Sequence, residues 1–230
     1  MLGKNPILKT DHGSGLRLRL VKGSPFLTIQ GEGPYMGHPA VFVRLHGCNL
    51  ACTFCDTDFS DPDDPVWYVD DIMDRIKEIA DGAKLVVITG GEPFRQNIKP
   101  LCRTLSMLRF TVQIETAGTL WIDGIEPWVR IICSPKTPMI HPQIRRHAAA
   151  FKYVIDADME FDRYLPITAT QAGVRPVRLA EPRDGVPIFL SPMDTGDDLH
   201  NTRNRKVVAQ LAMEYGCVAG LQMHKFMGVD

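Results

Sequence analysis

The chain has 230 residues, with 26 Lys and Arg against 27 Asp and Glu and a formal net charge of −1. That length fills one large domain or two small ones and buries roughly 70–75% of its unfolded surface, so folding needs no disulfide staples. With 44% hydrophobic and 23% charged residues, no apolar run near the ~18 residues of a membrane span and no excess of positive charge, the chain is expected to be globular, with neither a membrane nor a nucleic acid as partner.

Met1–Gly15 is polar and lacks the apolar core of a signal peptide; it is read as an extension without an assigned role, and the expected location is the cytoplasm. Leu16–Val21 alternates apolar with basic residues, the pattern of a strand with one wet face. Ala40–Leu45 reads as a strand leading into His46-Gly47-Cys48. Val69, Ile72, Met73, Ile76, Ile79 and Ala80 recur at helical spacing, with Gly82 as a stop. Lys84–Thr89 is a buried strand running into Gly90-Gly91-Glu92-Pro93. Ile98, Leu101, Cys102, Leu105 and Leu108 give a second helix with Asn97 as its N-cap. Thr111–Glu115 and Val129–Cys133 are further strands. Pro135–Ala150 and the proline-rich stretch Pro166–Pro187 read as irregular connections around a strand at Phe151–Ile155. Val186–Leu190 and Val218–Met223 complete the strands, and between them Val207, Val208, Leu211, Ala212 and Tyr215 give a third helix closed by Gly216.

Near-continuous apolar strands alternating with helices indicate an α/β protein with a parallel sheet covered by helices. Three helices are too few for a complete eightfold barrel, so the expected architecture is a partial, open (β/α) barrel in a single domain spanning 1–230. Its chemistry is expected at the C-terminal ends of the strands.

Six cysteines divide into a cluster, Cys48, Cys52 and Cys55, and three scattered thiols, Cys102, Cys133 and Cys217, read as core residues. In a reducing compartment a tight cysteine cluster points to metal rather than bridges. The C-x3-C-x2-C spacing supplies three thiolates, one fewer than an iron–sulfur cube normally takes. One iron would keep an open position for a chelating ligand. The spacing leaves two other readings open: a structural zinc with His46 as fourth ligand, and an electron carrier.

This loop, with Phe54 before the last cysteine, resembles the signature of the radical S-adenosylmethionine (SAM) superfamily. Thr89-Gly90-Gly91-Glu92-Pro93 resembles that family's glycine-rich SAM-contacting loop, where glycine permits close backbone approach. The resemblance implies a [4Fe-4S] cluster whose unique iron chelates SAM, and cleavage of SAM to a 5′-deoxyadenosyl radical. Gln30-Gly31-Glu32-Gly33, Arg44, Cys55-Asp56-Thr57-Asp58, Gln113-Ile-Glu115-Thr116-Ala-Gly118-Thr119, Ser134-Pro135-Lys136 and Gln222-Met-His224-Lys225-Phe-Met-Gly228 narrow the resemblance. Together they are similar to the 7-carboxy-7-deazaguanine synthase (QueE) family over roughly Phe26 to Val229.

The resemblance implies ring contraction of 6-carboxy-5,6,7,8-tetrahydropterin to 7-carboxy-7-deazaguanine with loss of ammonia, SAM acting catalytically, in the formation of queuosine and other 7-deazapurines. It implies Cys48, Cys52 and Cys55 as cluster ligands and Thr57 as the Mg2+ ligand. Phe54, Cys55, Asp56, Gly91, Ser134, Pro135 and Lys136 would contact SAM; Ile29, Gln30, Gly31, Arg44 and Thr89 would contact the pterin. Glu32, Glu92, Glu115, His224, Lys225 and Asp230 form a second tier. A ferredoxin or flavodoxin would supply electrons, and the family suggests a homodimer. Many members end in a proline near the substrate, where this chain reads Gly228-Val229-Asp230. The alternatives are a glycyl-radical-enzyme activase, against which the pterin-type motifs count, and a non-enzymatic Cys3His zinc module.

Overall fold

The computed structural model describes residues 5–59 and 61–229, so Asp230 lies outside the described residues. Strands in chain order are β1 (Arg17–Arg19), β2 (Phe26–Ile29), β3 (Pro39–Leu45), β4 (Val66–Tyr68), β5 (Leu85–Gly90), β6 (Thr111–Thr116), β7 (Arg130–Cys133), β8 (Ala148–Ile155), β9 (Glu160–Asp162), β10 (Leu165–Thr168), β11 (Val177–Arg178), β12 (Ile188–Pro192) and β13 (Val218–Ala219). The helices are α1 (Val69–Ile79), α2 (Lys99–Met107), α3 (Pro142–His147), α4 (Asp198–Tyr215) and α5 (Met223–Met227).

Eight strands form one sheet in the order β13-β12-β8-β7-β6-β5-β3-β2. All its neighbours pair in parallel except β2, which runs antiparallel to β3 at one edge. Among the described residues β2 and β13 do not pair with each other, so the barrel is open as the strand and helix counts imply. Two smaller sheets flank it: β1 with β4, and β9, β10 and β11.

Strand periodicity explains the burial. Val41, Val43 and Leu45 of β3, Val86 and Ile88 of β5, and Val112 and Ile114 of β6 share one face and pack in the main core with Ile72 and Ile76 of α1 and Leu101 and Leu105 of α2. The alternate residues point the other way. There Ala40, Leu85 and Val87 form a small apolar floor against Phe42 and Tyr35. Beyond this floor, toward the strand ends, the same face turns polar.

The departures from expectation have local causes. Pro135–Ala150 contains α3, which begins with Pro142 and is capped by His141 Nδ1 accepting from the Gln143 amide at 3.3 Å; proline fits a first helical position because that N–H needs no partner. Pro166–Pro187 contributes β10 and β11 to the small antiparallel sheet. β13 stops at Ala219 and α5 follows. The cap position of α2 falls on Ile98 rather than Asn97, yet Asn97 Oδ1 still accepts from the first helical amide, Lys99 N, at 3.4 Å, while its Nδ2 donates to the Gly13 carbonyl at 3.0 Å. At the end of α1 it is Asp81, not Gly82, that takes positive φ. Gly216 closes α4 in the left-handed conformation as expected. Cys102 and Cys133 are buried core thiols, and Cys217 is half-buried.

Candidate active site

Parallel pairing places Arg44 of β3 beside Thr89 of β5. The β5–β6 and β6–β7 registers carry the row on to Glu115. Past the apolar floor, a cavity of mixed lining opens over the C-terminal ends of the strands, where loops from successive parallel strands converge. It measures about 300 Å3.

Cys48, Cys52, Phe54, Cys55, Asp56 and Thr57 line it from the loop after β3. Thr89 at the end of β5 and Gly91 just after it line the cavity, with Glu115 at the end of β6, Ser134 and Lys136 after β7, and Ile29, Gln30, Glu32 and Arg44 from the β2–β3 edge. His224 and Lys225 approach from α5. Pro135 and Glu92 are buried behind this wall. The sequence motifs therefore converge on one space.

The cluster loop is anchored by backbone contacts. The Gly47 carbonyl accepts from the Glu92 amide at 3.0 Å, and the Cys48 carbonyl from the Leu8 amide at 2.8 Å. Arg95 and Gln96 both donate to the His46 carbonyl, at 2.9 and 3.1 Å. A Cβ built on Gly91 would stand 1.8 Å from the Gly47 carbonyl oxygen. Glycine is needed there because the turn after β5 presses directly on the cluster loop. The Glu92 carboxylate is buried and accepts from Thr116 Oγ1 at 2.7 Å, Ala117 N at 2.9 Å and Phe94 N at 3.1 Å. Burial outweighs these donors and raises its pKa. Its contacts tie the β5 turn to the end of β6, which is a structural role.

The three cysteines are free thiols. Burial pushes Cys48 up to about 12 and raises Cys52 and Cys55 as well, the expected state of clustered thiols before metal neutralises them. Thiolates on a single tetrahedral zinc stand about 3.8 Å apart, yet these sulfurs do not all lie within 4.8 Å of one another. His46 is turned to Asp64, Nδ1 to Oδ2 at 2.7 Å, and both are buried. The Cys3His zinc reading finds no compact donor set among the described residues: the three sulfurs do not close to zinc spacing, and His46 lines a different pocket from the cysteines. A multi-iron cluster held at three corners fits the three cysteines.

Opposite the cysteines, Lys136 Nζ donates to Ser134 Oγ at 2.6 Å and to the Ser134 carbonyl at 3.1 Å. It stands over the Phe54 ring at 5.9 Å and makes no ion pair among the described residues. Burial without a carboxylate partner lowers its pKa. Arg44 lies over Phe26 at 5.1 Å, and Phe26 stacks on Phe42 at 5.7 Å. The guanidinium also makes no ion pair among the described residues. Two cations thus face the cavity with anion-binding capacity to spare. Thr57 Oγ1 donates to Asp56 Oδ1 at 3.2 Å.

The polar floor contains a group that sequence reading missed. Lys152, in β8, is buried and donates to Glu32 Oε2 at 2.5 Å and Glu115 Oε2 at 2.8 Å. Burial alone would lower its pKa, but the two carboxylates reverse this and raise it. Glu32 is lowered in turn, Lys152 outweighing the cost of burial. Glu115 also accepts from Gln113 Nε2 at 2.6 Å and Gln30 Nε2 at 3.3 Å. A lysine inside Phe151-Lys152-Tyr153-Val154-Ile155 was the available signal, since a charge in a buried strand requires partners.

Gly31 closes the site against α5. Its carbonyl accepts from Met223 N at 3.0 Å, and a Cβ on it would stand 1.8 Å from His224 Nδ1. Burial lowers the His224 pKa and favours the neutral imidazole. Lys225 is tied to Asp194.

Comparison with known proteins identifies this arrangement. The family model described as "Radical SAM superfamily" matches residues 42–144. The 7-carboxy-7-deazaguanine synthase of Rhodospirillum rubrum is 41% identical over 239 aligned residues, covering 100% of both chains. The chain belongs to the 7-carboxy-7-deazaguanine synthase family. The Rickettsia prowazekii synthase is 37% identical, covering 100% of this chain and 96% of its own. The crystal structure of QueE from Escherichia coli has the same fold, with a TM-score of 0.64, 24% identity and coverage of 90% of this chain and 95% of that one. Radical SAM membership brings a [4Fe-4S] cluster and SAM, and the cysteine loop of this synthase-family chain fits the cluster. No helix among the described residues is long and apolar enough to cross a membrane.

Proposed function

We propose that this chain is a radical SAM carbon–nitrogen lyase that converts 6-carboxy-5,6,7,8-tetrahydropterin to 7-carboxy-7-deazaguanine with loss of ammonia. The observation that carries this reading is full-length similarity to the Rhodospirillum rubrum synthase, joined to a cavity where three thiols face two cations without ion-pair partners. When bound, the cluster and SAM supply the electron and the radical that abstracts hydrogen from the substrate.

The residues divide the remaining work. Cys48, Cys52 and Cys55 hold three irons. Lys136 and Ser134, with Gly91 and the Phe54–Asp56 stretch, offer a cation, a hydroxyl and open backbone to the amino-acid end of SAM, and Pro135 stiffens the turn behind them. Arg44 offers a planar fork to a carboxylate or a ring edge. Thr89 and the Ile29–Gly31 backbone border the same space. Lys152 holds the Glu32 carboxylate ionised and orients Glu115, and both can accept from the N–H groups of the pterin, while His224 stands neutral beside Gly31. Thr57 would offer one hydroxyl oxygen to Mg2+, a hard cation that oxygen ligands suit.

The same reading takes residues 1–230 as one radical SAM domain in a cytoplasmic homodimer, reduced by a flavodoxin or ferredoxin. The test is anaerobic turnover of reconstituted protein with SAM, reductant, Mg2+ and the tetrahydropterin, followed by mass spectrometry. Ring-contracted product over many turnovers without stoichiometric loss of SAM supports the assignment. Cleavage of SAM with untouched pterin overturns the substrate.

A further inference from the structure

Each cysteine sulfur of the cluster loop accepts at least one N–H. Cys48 Sγ accepts from the Leu50 backbone amide at 3.4 Å. Cys52 Sγ accepts from Gln171 Nε2 at 3.5 Å, and Cys55 Sγ from Asn5 Nδ2 at 3.5 Å. The two side chains are built alike. Gln171 Oε1 accepts from the Ala51 amide at 2.8 Å, and Asn5 Oδ1 accepts from the Phe59 amide at 3.0 Å. Asn5 Nδ2 also donates to the Thr57 carbonyl at 2.7 Å, an acceptor it shares with the Cys55 thiol at 3.4 Å. A backbone N–H pairs only with the amide oxygen, so both amide orientations are fixed and the NH2 groups face sulfur.

We propose that Asn5 and Gln171 are positioning residues for the cluster, gripping the cysteine loop at its middle and its far end and raising the cluster's reduction potential by donating to the Cys55 and Cys52 sulfurs. Donors to the sulfurs stabilise the more negative, reduced cluster. Asn5 is buried. The N-terminal extension thereby acquires a role, because it reaches the loop from beyond the recognisable motifs, with its nearby Leu8 bonded to the Cys48 carbonyl. Gln171 lies in the proline-rich stretch between β10 and β11, where Thr53 N donates to the Thr170 carbonyl at 2.9 Å. The proposal rests on the radical SAM assignment and not on the identity of the pterin.

Asn5→Asp and Gln171→Glu keep the acceptor oxygen and remove the donor; Asn5→Ala and Gln171→Ala remove it without adding charge. Holoprotein of each is assayed for iron and sulfide and titrated by EPR. The expected result is normal loading for the isosteric pair and, at fixed poise, a reduced-to-oxidised ratio at least tenfold lower than in wild type, ~59 mV for a one-electron couple. The alanine pair should shift the same way by less. Loaded variants with wild-type midpoints overturn the proposal. If the variants bind no iron, wild-type holoprotein carrying 15N only in Asn and Gln side-chain amides decides by pulsed EPR: 15N coupling to the reduced cluster supports the bonds, and its absence overturns them. Wild-type pterin turnover is measured in parallel; its failure counts against the synthase reading and leaves these redox results standing.

Discussion

The Lys152 ammonium lies 2.8 Å from the Glu115 carboxylate even though β7 runs between their strands. The side chain reaches across that strand on the face where Ile132 pairs with both Glu115 and Ala150, and it meets Glu32 as well. Three charges are therefore held in one buried row beneath the cavity.

Lys152→Met tests that row. Removing one member of a buried ion network leaves the others uncompensated, at a cost of roughly 3–5 kcal/mol. Burial would then dominate at Glu32 and raise its pKa. The expected outcome is a lower urea midpoint and at least a tenfold fall in kcat/KM. Wild-type stability and turnover would show that the carboxylates do not depend on the lysine.

Gly91→Ala should damage the site without touching any charge. The added methyl meets the Gly47 carbonyl at 1.8 Å, and because that oxygen is backbone rather than a side chain that can swing away, the cluster loop must shift. Overpacking of this kind costs about 1–3 kcal/mol. Isothermal titration of the iron-loaded variant should show SAM binding weakened at least tenfold.

Arg44→Ala separates substrate binding from radical generation. Loss of a charge-assisted contact is worth roughly 1.5–3 kcal/mol, a tenfold to hundredfold fall in kcat/KM for the pterin. SAM binding should stay at the wild-type level. Equal losses in both would place Arg44 at the SAM end of the cavity.

Acid should loosen α5. Asp194 is held down to about 2, chiefly by its hydrogen bond from Lys225, against an ordinary value of 3.8. A depressed carboxylate contributes stability that is complete above its unfolded pKa and vanishes as pH falls through the folded one. The contribution therefore disappears between about pH 4 and pH 2. In denaturant titrations of the apoprotein across that range, Asp194→Asn should flatten the acid limb relative to wild type.

The sequence made the parallel strands legible because burial on both faces demands unbroken apolar runs, as in Leu85–Ile88. Their polar ends were legible because chemistry-bearing types follow each run. Cys48, Gly91, Glu115 and Lys136 come from four different strand ends and line one cavity. Short elements whose order is set by tertiary contact escaped notice. β2 is a four-residue edge strand, and β10 carries Pro166. Asn5 and Gln171 carry no local signal at all, since an amide side chain becomes informative only once its distant partners are known. Lys152 did carry a signal, as a charge interrupting a buried strand.

The grip of Gln171 on the cysteine loop also bears on biosynthesis. Gln171 is 119 residues beyond Cys52, and ribosomes add about 5–20 residues per second. The thiols thus exist for roughly 6–24 s on a nascent chain before that partner has been made. Iron and sulfide are best delivered late, to a chain whose second half has already emerged, and slow translation of that half would lengthen the interval in which oxygen can reach bare cysteines.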